Sequence, residues 1–396
     1  MTLPFAARMQ GAKRSFIREI LKVTADPEVI SFAGGLPNPA TFPVQEVAAA
    51  ATKVLAENGA AALQYSTTEG YPPLREWIAA RYKTRKGITV DPDDILITTG
   101  SQQALDLAAK VFLDQGDPLV LEKPGYLGAI QAFALFRPGW RPTPLEEDGP
   151  DLAALERHLD GAKLFYAVTS FQNPSGLSYS KAKREAVAGL LDRFGTFFLE
   201  DDPYGELRFA GEDLPPVYSW RPENSVLLGT FSKIAAPGFR LGWMVCQGEI
   251  KERLVIAKQA ADLHTGSLDQ MVVWRFLVDN DFEAHIARSR EAYRVQCEAM
   301  QAACAEFLPP EVRVTRPEGG MFLWAEMPAG ANSVELLQKA VACKVAFVPG
   351  EAFYVDGTGG NTLRLNFSNS NPDRIREGMQ RLGECMRQCL DGKRSA

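Results

Sequence analysis

Histidine is scarce: His158, His264 and His285 are the only three in 396 residues, and none lies near another. That scarcity argues against a histidine-rich metal centre, and no metal is expected. Cysteine is sparse as well. Its six occurrences (Cys246, Cys297, Cys304, Cys343, Cys385 and Cys389) include no C-x-x-C pair and follow no secretion signal. A reduced, cytoplasmic protein is therefore expected, with Cys385 and Cys389 spaced as two buried thiols on one helix. There is no excess of basic charge: 43 Lys+Arg stand against 49 Asp+Glu, for a net charge of −6. This disfavours nucleic acid or an anionic membrane as the main partner. No apolar run is long enough to cross a bilayer, and there is no repeat or low-complexity tract. The first eighteen residues lack acidic side chains but hold Arg8, Lys13, Arg14 and Arg18, a pattern that transit peptides share. Ser15 to Leu21 reads instead as a short amphipathic helix with Ser15 as its N-cap.

What is present fits an ordinary globular chain, 46% hydrophobic and 23% charged, long enough for two or three domains. Strand candidates run Ile95 to Thr98, Leu119 to Glu122, Leu164 to Thr169, Thr196 to Glu200, Val226 to Gly229 and Leu241 to Val245. Helical stretches separate most of them, notably Gln102 to Leu113 and Lys181 to Phe194. Several strands are continuous apolar runs, as expected where helices cover both faces of a mostly parallel sheet. The spacing predicts a three-layer α/β domain. Helices from about Val44 to Asn58 and Leu74 to Lys83 precede it. Past about Asp279 the pattern becomes a long helix (Phe282 to Phe307), then strands at Gly320 to Glu326, Ala346 to Val348 and Thr362 to Phe367, then a final helix. This is a smaller α+β domain. The expected division is an N-terminal segment 1–43 packing with the small domain, a large domain 44–280 and a small domain 281–396.

The segment from Thr230 to Arg240 holds Lys233 among two hydroxyls, Thr230 and Ser232, and the guanidinium of Arg240. One amine that can condense with an aldehyde, beside groups that collect a phosphate, is what pyridoxal 5′-phosphate (PLP) requires. An isolated Ser-Lys would be only a surface loop, but other parts of such a site follow the strands. Gly100-Ser101-Gln102 opens a helix, where unpaired amides and the helix dipole favour an anion, although serine also caps helices with no ligand present. Asp201 ends a strand and precedes Tyr204 by three residues. A carboxylate there can hold a pyridine nitrogen protonated, and the tyrosine can reach the ring's phenolic oxygen. Asp202 is a confounder, since Asp-Asp-Pro also makes a turn. Asn173 stands at the same sheet edge, in an Asn-Pro pair that can equally be a turn. Tyr126 can stack on a planar ring or pack in the core. Arg364 lies inside an apolar strand, where its charge needs either a substrate carboxylate or an internal acid.

Together these residues resemble the fold-type I PLP-dependent aminotransferases over nearly the full chain, and in particular the 2-aminoadipate and kynurenine aminotransferase branch. The likeness runs through Ser31-Phe32-Ala33-Gly34-Gly35-Leu36-Pro37, Leu63-Gln64-Tyr65-Ser66, Thr99 to Asp106, Ser170 to Gly176, Glu200 to Tyr204, the Lys233 segment, Gly319-Gly320-Met321-Phe322 and Asn361 to Leu365. The resemblance implies the three-layer PLP-transferase fold, with a mostly parallel sheet in a large PLP-binding domain plus a smaller α+β domain. It implies that Lys233 attaches the cofactor and shuttles the proton, that Asp201 pairs with the pyridine nitrogen, and that Tyr204 and Asn173 bond the phenolic oxygen. Tyr126 would stack on the ring, while Ser101, Gln102, Thr230, Ser232 and Arg240 would hold the phosphate. Thr230 departs from a serine often found there but keeps the hydroxyl. Arg364 and Asn173 would bind the substrate α-carboxylate, with Gly35 closing over it. Relatives are homodimers in which the tyrosine matching Tyr65 reaches the neighbouring subunit's phosphate. Arg18 matches a residue that contacts the distal carboxylate of aminoadipate.

The implied activity is transfer of an amino group from an L-amino acid (2-aminoadipate, also glutamate, leucine or aromatic amino acids) to 2-oxoglutarate by a ping-pong mechanism. Rival readings are valine–pyruvate transamination or another PLP reaction on the same scaffold. A PLP-binding sensor domain is a third. Sensors of this kind carry a winged helix in front, for which the segment before Ser31 leaves no room.

Overall fold

The computed structural model describes residues 5–9 and 26–394. Arg18 and the helix expected over residues 15–21 lie outside these described residues. Eight strands make the large sheet, in the spatial order Ile95–Thr98, Gly242–Val245, Ser225–Thr230, Phe197–Asp201, Leu164–Ala167, Pro118–Lys123, Gly139–Glu146 and Gly149–Pro150. Pairing is parallel from Ser225–Thr230 through to Gly139–Glu146. Gly242–Val245 runs antiparallel to both of its neighbours. The two reversals cancel, so Ile95–Thr98 points the same way as the parallel set. As a result six strands end at one edge of the sheet, where α/β sheets bind ligands.

The central strands are apolar because both faces are covered. Along Phe197–Asp201 and Leu164–Ala167, Leu199 and Tyr166 enter a core shared with Leu105, Phe133 and Met244, while Phe198 and Phe165 enter another with Leu155 and Val187. Burial of such a side chain contributes about 1.5–3 kcal/mol. A third core, including Val54, Ile78, Phe231 and Trp243, packs the helices Val44–Ala62 and Pro72–Lys86 against the other end of the sheet. The first of these helices runs past its expected end, through a non-helical Asn58.

The smaller unit is a four-stranded antiparallel sheet, in the order Arg313–Val314, Phe322–Glu326, Thr362–Asn366, Val348–Pro349. The helices Phe282–Phe307 and Pro372–Arg394 pack on each other beside it. One strand was expected from Ala346 to Val348; instead the chain divides there. Val345–Ala346 pairs in parallel with Ile30–Ser31, and Val348–Pro349 pairs with Thr362–Asn366. The buried Phe347 is the crossing point. The backbone of Phe32 also links the two sheets, donating to the Ala346 carbonyl at 2.7 Å and accepting from Asn366 N at 2.8 Å. Among the described residues no helix is long and apolar enough to cross a membrane, and no cluster of His, Cys, Asp or Glu is arranged to hold a metal ion.

Candidate active site

The segments leaving the shared sheet edge surround a cavity of about 380 Å³. Gly100, with φ +74°, turns the chain from Thr98 into the helix Ser101–Phe112. Glycine is required there twice over: the positive φ disfavours a side chain, and a Cβ would stand 2.8 Å from the Arg240 guanidinium. Ser101 and Gln102 thus face the cavity at a helix N-terminus, with Arg240 alongside. Gln102 also donates to the Gly128 carbonyl at 3.1 Å. After the strand Ser225–Thr230, the Thr230 hydroxyl donates to the Leu241 carbonyl at 3.2 Å and accepts from Ser232 N at 3.1 Å. It thereby closes the turn that presents Ser232 and Lys233.

Lys233 donates from Nζ to the Gly35 carbonyl at 2.9 Å. Burial, reinforced by the charges of Arg364 and Arg240, lowers its amine to about 8. Opposite it, Asp201 ends its strand fully buried, and burial pushes the carboxyl up to about 7 against the opposing hydrogen bond from Tyr166. Tyr126 leads into the helix Leu127–Ala134, and burial raises its phenol to about 12. Burial also pushes the Tyr204 phenol upward, so both phenols stay protonated at neutral pH.

Arg364 is 2% exposed at the centre of the small sheet, paired in register with Trp324 and Val348. Its Nη1 donates to Asn173 Oδ1 at 2.8 Å and its Nη2 to the Ala33 carbonyl at 2.6 Å. The guanidinium lies 4.4 Å from the centroid of the Phe322 ring. Asn173 Nδ2 then donates to the Tyr204 hydroxyl at 3.4 Å. No carboxylate partner accompanies this arginine among its hydrogen bonds, and burial lowers it to about 10.

Three buried polar atoms on the cavity wall have no hydrogen-bond partner among the described residues: Ser101 Oγ, Asp201 Oδ1 and Arg364 Nε. Native proteins rarely leave such atoms unmatched, because each costs about 1–3 kcal/mol. PLP and an amino acid would complement all three, with a phosphate at the helix terminus, a protonated ring nitrogen at Asp201 and a carboxylate at Arg364. The residues present therefore fit that group. Asp202 faces elsewhere, into a separate cavity of about 40 Å³ with Trp77, Arg81 and Trp243.

Every described residue chosen from the sequence lines the larger cavity except Tyr65, which is 79% exposed with its ring edge-on to His264 at 5.8 Å. Sequence reasoning missed Tyr166, whose hydroxyl donates to Asp201 Oδ2 at 2.9 Å, and the cation–π platform of Phe322. Phe322 stood in a matching motif without a role, while Tyr166 carried no signal beyond that of a core strand.

Residues 27–382 match the family model for aminotransferase class I and II. The chain is 45% identical to the 2-aminoadipate transaminase of Thermus thermophilus, over 97% of this chain and 96% of that one. It is 42% identical to aromatic-amino-acid aminotransferase 1 of Thermococcus litoralis, over 97% and 94%. A solved structure of the α-aminoadipate aminotransferase of Thermus thermophilus, complexed with N-(5′-phosphopyridoxyl)-L-leucine, superposes with a TM-score of 0.91 at 43% identity, covering 98% of each chain. The cavity's amine, carboxylate and helix N-terminus thus sit on a scaffold with named relatives, and the chain belongs to the class I and II aminotransferases, enzymes that use PLP.

Proposed function

We propose that this aminotransferase moves the amino group of an L-amino acid, 2-aminoadipate foremost and also glutamate, leucine or aromatic amino acids, to 2-oxoglutarate in a ping-pong sequence. The observation that carries the reading is Arg364: a buried guanidinium with Nε unpartnered at the cavity wall suits an α-carboxylate. The donor range follows the relatives, whose names specify 2-aminoadipate and aromatic amino acids.

When bound, PLP supplies the electron sink and the temporary carrier of the amino group. Lys233, with its amine near 8, takes the proton from the substrate Cα and returns it on the acceptor's side of the reaction. Asp201 holds the ring nitrogen's proton, Tyr204 and Asn173 bond the phenolic oxygen, and Tyr126 covers the ring. Ser101, Gln102, Thr230, Ser232 and Arg240 seat the phosphate. Asn173 and Arg364 orient the α-carboxylate, with Gly35 covering it. Tyr65, outward-facing in its own chain, would complete a neighbouring subunit's phosphate site in a cytoplasmic homodimer. The proposed domains are 44–280 and 281–396, with 1–43 packing against the latter.

Arg18 is assigned the distal carboxylate of aminoadipate. A panel of amino donors against 2-oxoglutarate and pyruvate, run with the natural chain and with Arg18→Ala, tests the reading. Aminoadipate with 2-oxoglutarate should be a leading pair. Arg18→Ala should lower kcat/KM for aminoadipate at least about tenfold, roughly 1.4 kcal/mol, and leave leucine little changed. A preference for valine with pyruvate, or equal losses for both donors, would overturn this substrate assignment.

A further inference from the structure

Tyr166 is fully buried in the strand Leu164–Ala167, which pairs in parallel with the strand ending at Asp201. Its ring packs edge-on against Phe133, with centroids 5.4 Å apart, and its hydroxyl crosses to Asp201 Oδ2 at 2.9 Å. The other carboxylate oxygen, Oδ1, has no hydrogen-bond partner among the described residues and belongs to a residue of the cavity wall. One hydroxyl therefore both satisfies half of the carboxylate and fixes its rotation.

We propose that Tyr166 is a positioning residue for the cofactor: by donating to Oδ2 it favours the carboxylate form of Asp201 and holds it turned so that Oδ1 meets the ring nitrogen. This rests on the reading that Asp201 pairs with that nitrogen.

The need for such a donor follows from the surroundings of Asp201. Burial is the largest influence on it and favours the neutral acid. Asp202, next in the chain, adds a like charge, and Glu200 and Glu122, the latter on the strand Pro118–Lys123, are further buried carboxyls of the region. Tyr126 and Tyr204 face the same carboxyl as neutral phenols. The cations of the cavity, Lys233, Arg240 and Arg364, are not among its hydrogen-bond partners. Tyr166 is the one side chain that donates a hydrogen bond to Asp201 among the described residues, and it lowers the carboxyl's affinity for a proton. A group raised toward neutrality by burial loses its charge as pH falls through about 7, so removal of the donor should move that loss to higher pH.

The test is the pH dependence of PLP affinity, measured by equilibrating holoenzyme with graded free cofactor across the neutral range and reading bound PLP by absorbance. In the natural protein, affinity should fall toward acid pH first as the Lys233 amine is protonated near 8 and then, in a lower limb, as Asp201 is neutralised near 7. Tyr166→Phe, which keeps the ring against Phe133, should move this acid limb up by at least about 1 pH unit, since a hydrogen bond to a charged group is worth that much. Tyr179→Phe removes a comparable buried hydroxyl, one that donates to Glu122 at 2.9 Å, and should leave the limb in place. An unmoved limb in Tyr166→Phe, or equal movement in both variants, overturns the role of Tyr166. Asp201→Asn separates the underlying reading: it should weaken PLP binding and abolish the shift caused by Tyr166→Phe, leaving only the fall set by protonation of the Lys233 amine. Natural affinity and pH dependence in that variant would sink the Asp201 assignment itself rather than Tyr166 alone.

Discussion

Arg364 and Asn173 are 191 residues apart in sequence and joined by a 2.8 Å hydrogen bond, from Nη1 to Oδ1. The bond ties the centre of the small sheet to a loop of the large one. Because Asn173 also contacts Tyr204, the groups proposed to bind the carboxylate and the ring form one chain of polar contacts.

Replacing Arg364 with leucine should therefore impair both halves of the reaction. Loss of one partner from a buried, hydrogen-bonded charge pair costs roughly 2–5 kcal/mol. The expected fall in kcat/KM is at least about thirtyfold for donor and acceptor alike. Steady-state kinetics with both substrates varied would show it. A loss confined to one substrate would contradict a shared α-carboxylate site.

Asp201 and Asp202 are adjacent but face different cavities, which separates their consequences. Asp201→Asn should reduce kcat at least about a hundredfold, equivalent to roughly 2.7 kcal/mol, because an amide cannot hold the ring nitrogen protonated. Asp202→Asn should stay within about threefold, as expected for a side chain outside the reacting centre. Single-turnover rates for both variants provide the comparison. Equal losses, or the reverse order, would refute the assignment.

Tyr65 stands 79% exposed, outside the cavity that the other described site residues line. Mixing an inactive Lys233→Ala subunit with an inactive Tyr65→Ala subunit should restore about one quarter of natural activity. Random re-pairing of two-fold dimers gives half heterodimers, each with one intact site. No recovery after demonstrated subunit exchange would count against a shared site.

Much of this arrangement was legible in the sequence because the strands entering the site are short apolar runs that end abruptly in polar residues. Asp201 and Lys233 could be placed at a sheet edge for that reason. Gly139–Glu146 was missed as a strand because its sequence, Gly-Trp-Arg-Pro-Thr-Pro-Leu-Glu, lacks a buried-strand pattern. Near the sheet's margin, with only the two-residue Gly149–Pro150 beyond it, Pro142 and Pro144 are tolerated. The division of the chain at Phe347 between two sheets was likewise invisible, since each piece is two residues long. Tyr166 escaped notice because strand alternation marks it as core. Its polar tip gains meaning only once the neighbouring strand brings Asp201 beside it.

Lys233 is the lysine proposed to hold PLP. Treating the purified holoenzyme with borohydride and mapping the labelled peptide by mass spectrometry tests this directly, because reduction makes the cofactor's attachment permanent. A pyridoxyl group is expected on Lys233 alone, whose amine burial lowers to about 8 and which stands 2.9 Å from the Gly35 carbonyl. A label on another lysine, such as the buried Lys258 whose amine is already bonded to Asp262, would contradict it.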